Sequence, residues 1–307
     1  MSTVTAGGVS AQPGTGVGRP SFLGLMRGEW LKLNRMWTLW IMVGLMFGGF
    51  ILVGLLLDQT GHFGDVAHIT PLRAVATVVE MPLFLIRVFW GMMVIILTAR
   101  LIGSEYSSGA VRVIYSRGVG RLQLLFAKLA VIALVAVVGA VVFAAFAGGI
   151  ELINVRVATG SLDVFKSATA QFWTDAWNYA LTVLVSLGVS ILMATAVTSL
   201  ARSLSVGVTA SVLWFPIDNL ARILLALADR LTRWSFWALL TGDLLGPNLN
   251  VMGPQVISVM PDVLGFGRTL GTLTPVTGAH TLLVAAIYAV IFLAVSLWVT
   301  ATRDVRE

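Results

Sequence analysis

Residues 100–128 read R-L-I-G-S-E-Y-S-S-G-A-V-R-V-I-Y-S-R-G-V-G-R-L-Q-L-L-F-A-K, a polar interval between two long apolar segments. Five basic side chains (Arg100, Arg112, Arg117, Arg121, Lys128) stand here against one acid, Glu105. Such a segment is too polar to lie in hydrocarbon, so it is a loop committed to one side of a membrane. Lys and Arg near span ends are retained on the cytosolic side, which places this loop in the cytosol and orients the rest of the chain.

Composition agrees with a membrane location. The 307 residues are 58% hydrophobic and only 11% charged, and the mean hydropathy is +0.93, outside the range of ordinary soluble domains. A formal net charge of +6 would suit a nucleic-acid partner, but the positives are spread between apolar runs and read as topology determinants; no nucleic acid is expected. There is no cysteine, which excludes disulfides, thiolate chemistry and Cys-ligated metals.

Working outward, residues 1–21 are small, polar and rich in Gly, without an apolar run that would serve as a signal peptide; a disordered cytosolic tail is expected. From Phe22 to Trp37, apolar Leu25, Met26, Trp30, Leu33 and Trp37 recur at steps of three and four among Arg27, Glu29, Lys32 and Arg35. That spacing predicts an amphipathic helix lying in the cytosolic interface; a plain cytosolic extension of the first span is the alternative. Six membrane spans are expected at about 38–57, 82–103, 122–150, 176–200, 204–228 and 280–301, within one membrane domain over 22–307. The loop at 104–121 then faces the cytosol and the stretch 229–279 faces outward. That outer stretch carries Trp234, Trp237 and several prolines but no long apolar run, which favours short interfacial or re-entrant helices. Both termini fall inside. Twelve of the twenty basic residues lie on inner segments and six on outer ones, in the sense this orientation requires.

Within the spans, Gly44 and Gly48 form a G-x-x-x-G pair, and Ala136, Ala140, Ala144 and Gly148 form a smooth stripe suited to close helix packing. Arg87 sits about five residues inside the expected outer end of span two, where it either serves function or snorkels to the interface. In span five, W-F-P-I-D-N-L-A-R (214–222) places Pro216, an expected kink, before Asp218, Asn219 and Arg222. Asp218 and Arg222 stand four residues apart on one face and can neutralise each other as a buried structural pair, or can line a path. A span that ends early at the kink is a further reading.

No phosphate loop, zincin motif or nucleophile elbow occurs, and His62, His68 and His280 all fall on or near the outside. His62, Asp65 and His68 are metal-binding types, but without a recognised ligand spacing. A catalytic constellation is therefore unsupported, and no cofactor or metal is expected on this chain.

In three places the chain resembles the membrane subunits of ATP-binding-cassette transporters of the type-2 export class. An interfacial helix precedes the first span, like the elbow helix of those permeases. The first cytosolic loop is similar to the family pattern at Glu105, Gly109, Arg112, Ser116, Arg117 and Lys128, with Ala110 where the family often has Thr. Arg303-Asp304-Val305 follows directly on the last span, as in many members.

The resemblance implies a partner. In that family the first cytosolic loop holds a coupling helix that docks on a separate ATPase subunit, which itself carries ATP and Mg. Glu105, Gly109, Arg112, Ser116, Arg117 and Arg121 would form that docking segment; Val111, Val113, Ile114 and Tyr115 would be buried by the partner while Arg112 and Arg117 meet its acids. Six spans are half a pathway, so a second copy of this chain or a related permease is implied, in the plasma membrane. Alternating access would move an amphiphile such as a drug, lipid or peptide antibiotic, with Arg87, Asp218, Asn219 and Arg222 as candidate pathway residues. An ion-coupled secondary transporter using Asp218, or a scaffold that transports nothing, are the rival readings.

Overall fold

In a computed structural model, residues 21–58, 70–109, 116, 118–256 and 271–302 are described. The tail before Ser21, His62, Asp65, His68, the loop residues Ala110 to Tyr115 with Arg117, and the closing Arg303-Asp304-Val305 lie outside them.

Among the described residues every regular element is helical. The helices are α1 (Phe22–Asn34), α2 (Trp37–Asp58), α3 (Pro71–Ser108), α4 (Arg121–Thr159), α5 (Ala170–Ala201), α6 (Leu204–Thr232), α7 (Phe236–Leu240), α8 (Leu245–Val256) and α9 (Gly278–Thr302). Five of them (α3, α4, α5, α6 and α9) are long and apolar enough to cross a membrane, and α1 with α2 makes a sixth candidate bent by 63°. The expected polytopic all-α fold is what the chain forms.

The ends of these helices follow local chemistry. Ser21 Oγ accepts the Gly24 amide at 3.1 Å and so starts α1. Pro71 fits the first turn of α3, where a missing N–H costs nothing. The helix therefore begins well before Pro82 and passes through it, and a π-helical turn follows at Ile86–Trp90. Such adjustments are how apolar helices absorb an internal proline. Arg87 consequently lies sixteen residues beyond the first residue of α3 rather than near its end. At 39 residues α4 is about 58 Å long, nearly twice a hydrocarbon core of roughly 30 Å, so residues 151–159 continue the helix where an outer loop was expected. Only Arg202 and Ser203 separate α5 from α6: Arg202 takes a left-handed conformation (φ 49°) and Ser203 Oγ accepts the Val206 amide at 3.5 Å. α6 then runs unbroken through Pro216 to Thr232, so the span does not end at the proline.

The core centres on α5. In its most apolar stretch 61% of residues are buried, against 6% for α6, which therefore lies at the edge of the helical packing. Helices α3 and α9 flank α5. At the end of α3 that leads into the loop, glycines let backbones approach: a Cβ on Gly103 would sit 2.9 Å from Leu204 Cα, and one on Gly207 2.8 Å from Thr198 Oγ1. Further along, the Trp90 ring lies on Gly139 of α4 and its Nε1 donates to Ala136 O at 2.9 Å. The expected small-residue stripe is thus half used: Ala136 and Ala140 are buried, while a Cβ on Gly148 would meet nothing within 4 Å. Helix α2 joins the core through Phe47 and Phe50, packed edge-on against Phe143 of α4. Gly44 and Gly48 are exposed, and a Cβ on either would meet nothing within 4 Å, so their pair makes no close helix contact among the described residues.

Candidate functional site

The loop between α3 and α4 is framed by two left-handed glycines, Gly109 (φ 68°) and Gly118 (φ 80°). Where the flanking helices meet α1, four charged side chains from three helices come together. Glu29 comes from the inner face of α1, Glu105 from the last turn of α3, and Lys128 from the second turn of α4; Lys32 closes the group from the exposed side. Lys128 Nζ donates to Glu29 Oε2 at 2.9 Å and to Glu105 Oε1 at 2.7 Å. Lys32 Nζ donates to Glu29 Oε1 at 2.7 Å and to Glu105 Oε1 at 2.5 Å.

Two ammonium and two carboxylate groups make the cluster neutral, which is the condition for burial. An uncompensated ion moved out of water loses several kcal/mol even after relaxation, and good geometry with a full set of hydrogen bonds offsets it. Glu29, Glu105 and Lys128 are at most 6% exposed. Burial alone would lower the Lys32 pKa, but its bonds to Glu105 and Glu29 outweigh that and hold it above the ordinary lysine value. The arrangement is a clamp: the helices on both sides of the loop are tied to α1, three residues before the end of α3 and seven after the start of α4.

The remaining loop positions are distributed around this clamp. Glu105 turns inward and is spent on the clamp, so it offers no outer surface. Gly109 ends α3 and Ser116 is exposed. Arg121, at the first turn of α4, reaches Ala301 O of α9 at 3.5 Å among its contacts. Arg112 and Arg117 lie outside the described residues. Glu29 and Lys32 were not singled out by sequence reasoning. The signal available was an acid followed three residues later by a lysine in an otherwise basic helix, with a second lysine, Lys128, inside an apolar run.

A second polar group gathers on the other half of the molecule, around α8. The helix tolerates Pro247 in its first turn, where amides have no intrahelical partner. Its start is fixed by Asp218 of α6, whose Oδ2 accepts the Gly246 amide; any side chain at Gly246 would press on that carboxylate. Arg87 of α3 donates from Nη1 to Leu249 O at 2.7 Å and Asn250 O at 3.3 Å, and from Nη2 to Asn250 Oδ1 at 3.3 Å. Asn250 Nδ2 in turn donates to Asn219 Oδ1 at 3.1 Å. A cavity of about 190 Å³ lies between α3, α5, α6 and α8, with Arg87, Ser186, Ser190, Asn219 and Asn250 among its walls.

Three of the four candidate pathway residues, Arg87, Asp218 and Asn219, therefore converge on one short helix. Arg222 does not join them; its Nε donates to Gly271 O. Asp218 and Arg222 are not paired with each other, contrary to their i,i+4 spacing, because each finds a backbone partner in the connection that folds back between α6 and α9. Among the described residues no three His, Cys, Asp or Glu side chains gather as a metal would require.

Asp218→Ala removes the acceptor at the start of α8. Leaving a buried donor without its partner costs about 1–3 kcal/mol, so amide exchange across Leu245–Val256 should accelerate roughly ten-fold or more. Hydrogen-exchange mass spectrometry in detergent reads this directly; unchanged protection of α8 would show that Asp218 does not hold it.

The comparisons with known proteins follow from residues that include the clamp. A family model described as ABC-2 family transporter protein matches residues 25–216, from α1 to the middle of α6. No curated protein matches the chain.

Proposed function

The chain belongs to the ABC-2 family of transporter proteins and is a membrane permease component that works with an ABC ATPase subunit, and on that premise we propose that it serves an exporter of amphiphilic substrates. ATP binding closes the ATPase subunits, the loop between α3 and α4 receives the movement, and two permease halves rock to open a path outward. The loop faces the cytosol, both termini lie on the same side, and the plasma membrane is the site of action. The second half is another copy of this chain or a related permease.

The observation that supports this reading best is the neutral clamp of Glu29, Lys32, Glu105 and Lys128. A loop that only set topology would need no buried ion network at its roots. A loop that transmits force needs both roots joined to rigid elements, and here α1, α3 and α4 are joined within hydrogen-bond distance. Arg112 and Arg117 are the charges on the loop itself, suited to acids on the ATPase, with Val111, Val113, Ile114 and Tyr115 as the apolar contribution. On the outer half, the hold of Arg87, Asp218 and Asn219 on α8 makes that helix the candidate outer gate, and the largely apolar groove along α6, lined by Val206, Leu213, Trp214 and Ile217, suits an amphiphile.

The test uses the chain produced together with its ATPase subunits and reconstituted in vesicles. Charge reversal of both loop arginines, Arg112→Glu with Arg117→Glu, is expected to abolish stimulation of ATP turnover by the permease and to weaken co-purification by ten-fold or more, since like charges facing across an interface cost several kcal/mol. A complex that assembles and turns over ATP as before would refute docking through this loop.

A further inference from the structure

The outward face of α1 carries chemistry that the clamp does not use. The helix contains one acid, Glu29, and that acid is turned inward and neutralised by Lys128 and Lys32. What remains outside is basic and apolar. Arg27 and Arg35 are exposed and have no partner among the described residues. Eight residues separate them, about 12 Å along a helix. Between and beside them stand Leu23, Trp30, Leu31 and, past the bend, Trp37, all exposed. The 63° bend lays α1 well off the direction of α2, so when α2 crosses a bilayer α1 runs obliquely along its surface.

We propose that this face is a binding surface for anionic phospholipid headgroups of the cytosolic leaflet, with Arg27 and Arg35 holding the phosphates and Trp30, Leu31 and Trp37 seated at the headgroup boundary. Charge complementarity selects this occupant. A zwitterionic lipid surface would satisfy the apolar side chains but offers the two guanidinium groups no net counter-charge. Anionic lipids satisfy both, and tryptophan is the side chain that prefers this depth. Because Glu29 on the opposite face of the same helix is bonded to Lys128, a headgroup bound at Arg27 bears on an element that also anchors the loop. That link to ATP turnover rests on the transport reading; the lipid surface does not.

The experiment uses the full chain in phosphatidylcholine vesicles carrying a trace of either spin-labelled phosphatidylglycerol or spin-labelled phosphatidylcholine. The immobilised fraction of each label measures how much of that lipid the protein retains. Each basic side chain close to an anionic leaflet is worth roughly five-fold in binding at low salt, so wild type should prefer phosphatidylglycerol and the double variant R27Q/R35Q should lose about thirty-fold of the paired contribution. Raising the salt should erode the preference of wild type in the same direction. The single variants R27Q and R35Q carry the same test should the double variant fold poorly, each with a roughly five-fold loss. The charge-preserving R27K/R35K should keep the preference. An equal preference in wild type and R27Q/R35Q overturns the proposal. So does a variant that keeps its lipid preference but no longer co-purifies with the ATPase, which would assign the face to a protein partner. A chain that keeps an arginine-dependent lipid preference yet stimulates no ATPase would sink the transport reading and leave the lipid surface standing.

Discussion

Lys128→Met is expected to be the most damaging single change around the buried ion cluster. Methionine fills a similar volume, so the loss is electrostatic. Lys32 still reaches Glu29 Oε1 and Glu105 Oε1, but two carboxylates then share one ammonium and the buried cluster carries a net negative charge. Removing one partner from a buried ion network costs about 3–5 kcal/mol, far more than the net worth of the intact network, because the stranded charge has nowhere to be solvated. Thermal unfolding in detergent, followed by tryptophan fluorescence, should show a large drop in midpoint. Lys32→Met removes the same charge from a side chain that is 43% exposed and already partly solvated, so a smaller loss than that of Lys128→Met is expected there. The double variant Lys128→Met with Glu105→Gln restores neutrality through Lys32 and Glu29 and should recover much of the stability. Equal melting of Lys128→Met and wild type would mean that the clamp does not carry load.

Gly139→Ala should be the most damaging change at the centre of the membrane domain, although alanine is the better helix former. Propensity alone predicts a gain of about 1 kcal/mol. Packing reverses the sign. A Cβ there overlaps Trp90 Cζ2 outright and stands 2.7 Å from Cε2 and 2.8 Å from Cη2, so the ring must leave its place. Overpacking costs about 1–3 kcal/mol. Displacing the ring also breaks the 2.9 Å bond from Trp90 Nε1 to Ala136 O, in a site only 2% exposed at Trp90, which adds about 1–3 kcal/mol for the unsatisfied groups. A net loss of several kcal/mol follows. The control is Gly148→Ala on the same helix, where a Cβ meets nothing within 4 Å and the propensity gain should stand alone. Trp90→Phe removes the part of the ring that collides, so adding it to Gly139→Ala should raise the melting point of the single variant. A Gly139→Ala protein as stable as Gly148→Ala would show that the tryptophan does not sit in this notch.

These two sites differ in how far the sequence announces them. Lys128 is conspicuous: a lysine within an apolar run, a short distance after a loop, needs a counter-ion, and Glu105 is near enough in sequence to be suspected. Glu29 is not, because 76 positions separate it from Glu105 and only the packing of α1 against α4 brings it into reach. Trp90 and Gly139 are less visible still. The regular stripe of Ala136, Ala140, Ala144 and Gly148 draws attention to one face of α4, yet the tight contact falls on Gly139, beside that stripe.

Asp218 and Arg222 make the same point around α8. Their spacing permits an ion pair, and an isolated helix would form one. In the folded chain the Gly246 amide and the Gly271 carbonyl compete for them, and a buried backbone group without a partner is costly enough to win.

The sequence by itself therefore determined what local chemistry can determine. Apolar runs of span length fixed the membrane class, the distribution of Lys and Arg argued an orientation, the 22–37 periodicity marked a helix ahead of the first span, and the lack of a long apolar run argued against a plain span before α9. Those signals are local because transfer between water and hydrocarbon acts on each segment separately. Tertiary structure alone decided which charges meet, which glycine admits a ring, and which short helix Arg87, Asp218 and Asn219 hold. Those choices depend on distances between helices far apart in the chain, where a buried charge or amide takes whichever partner packing delivers.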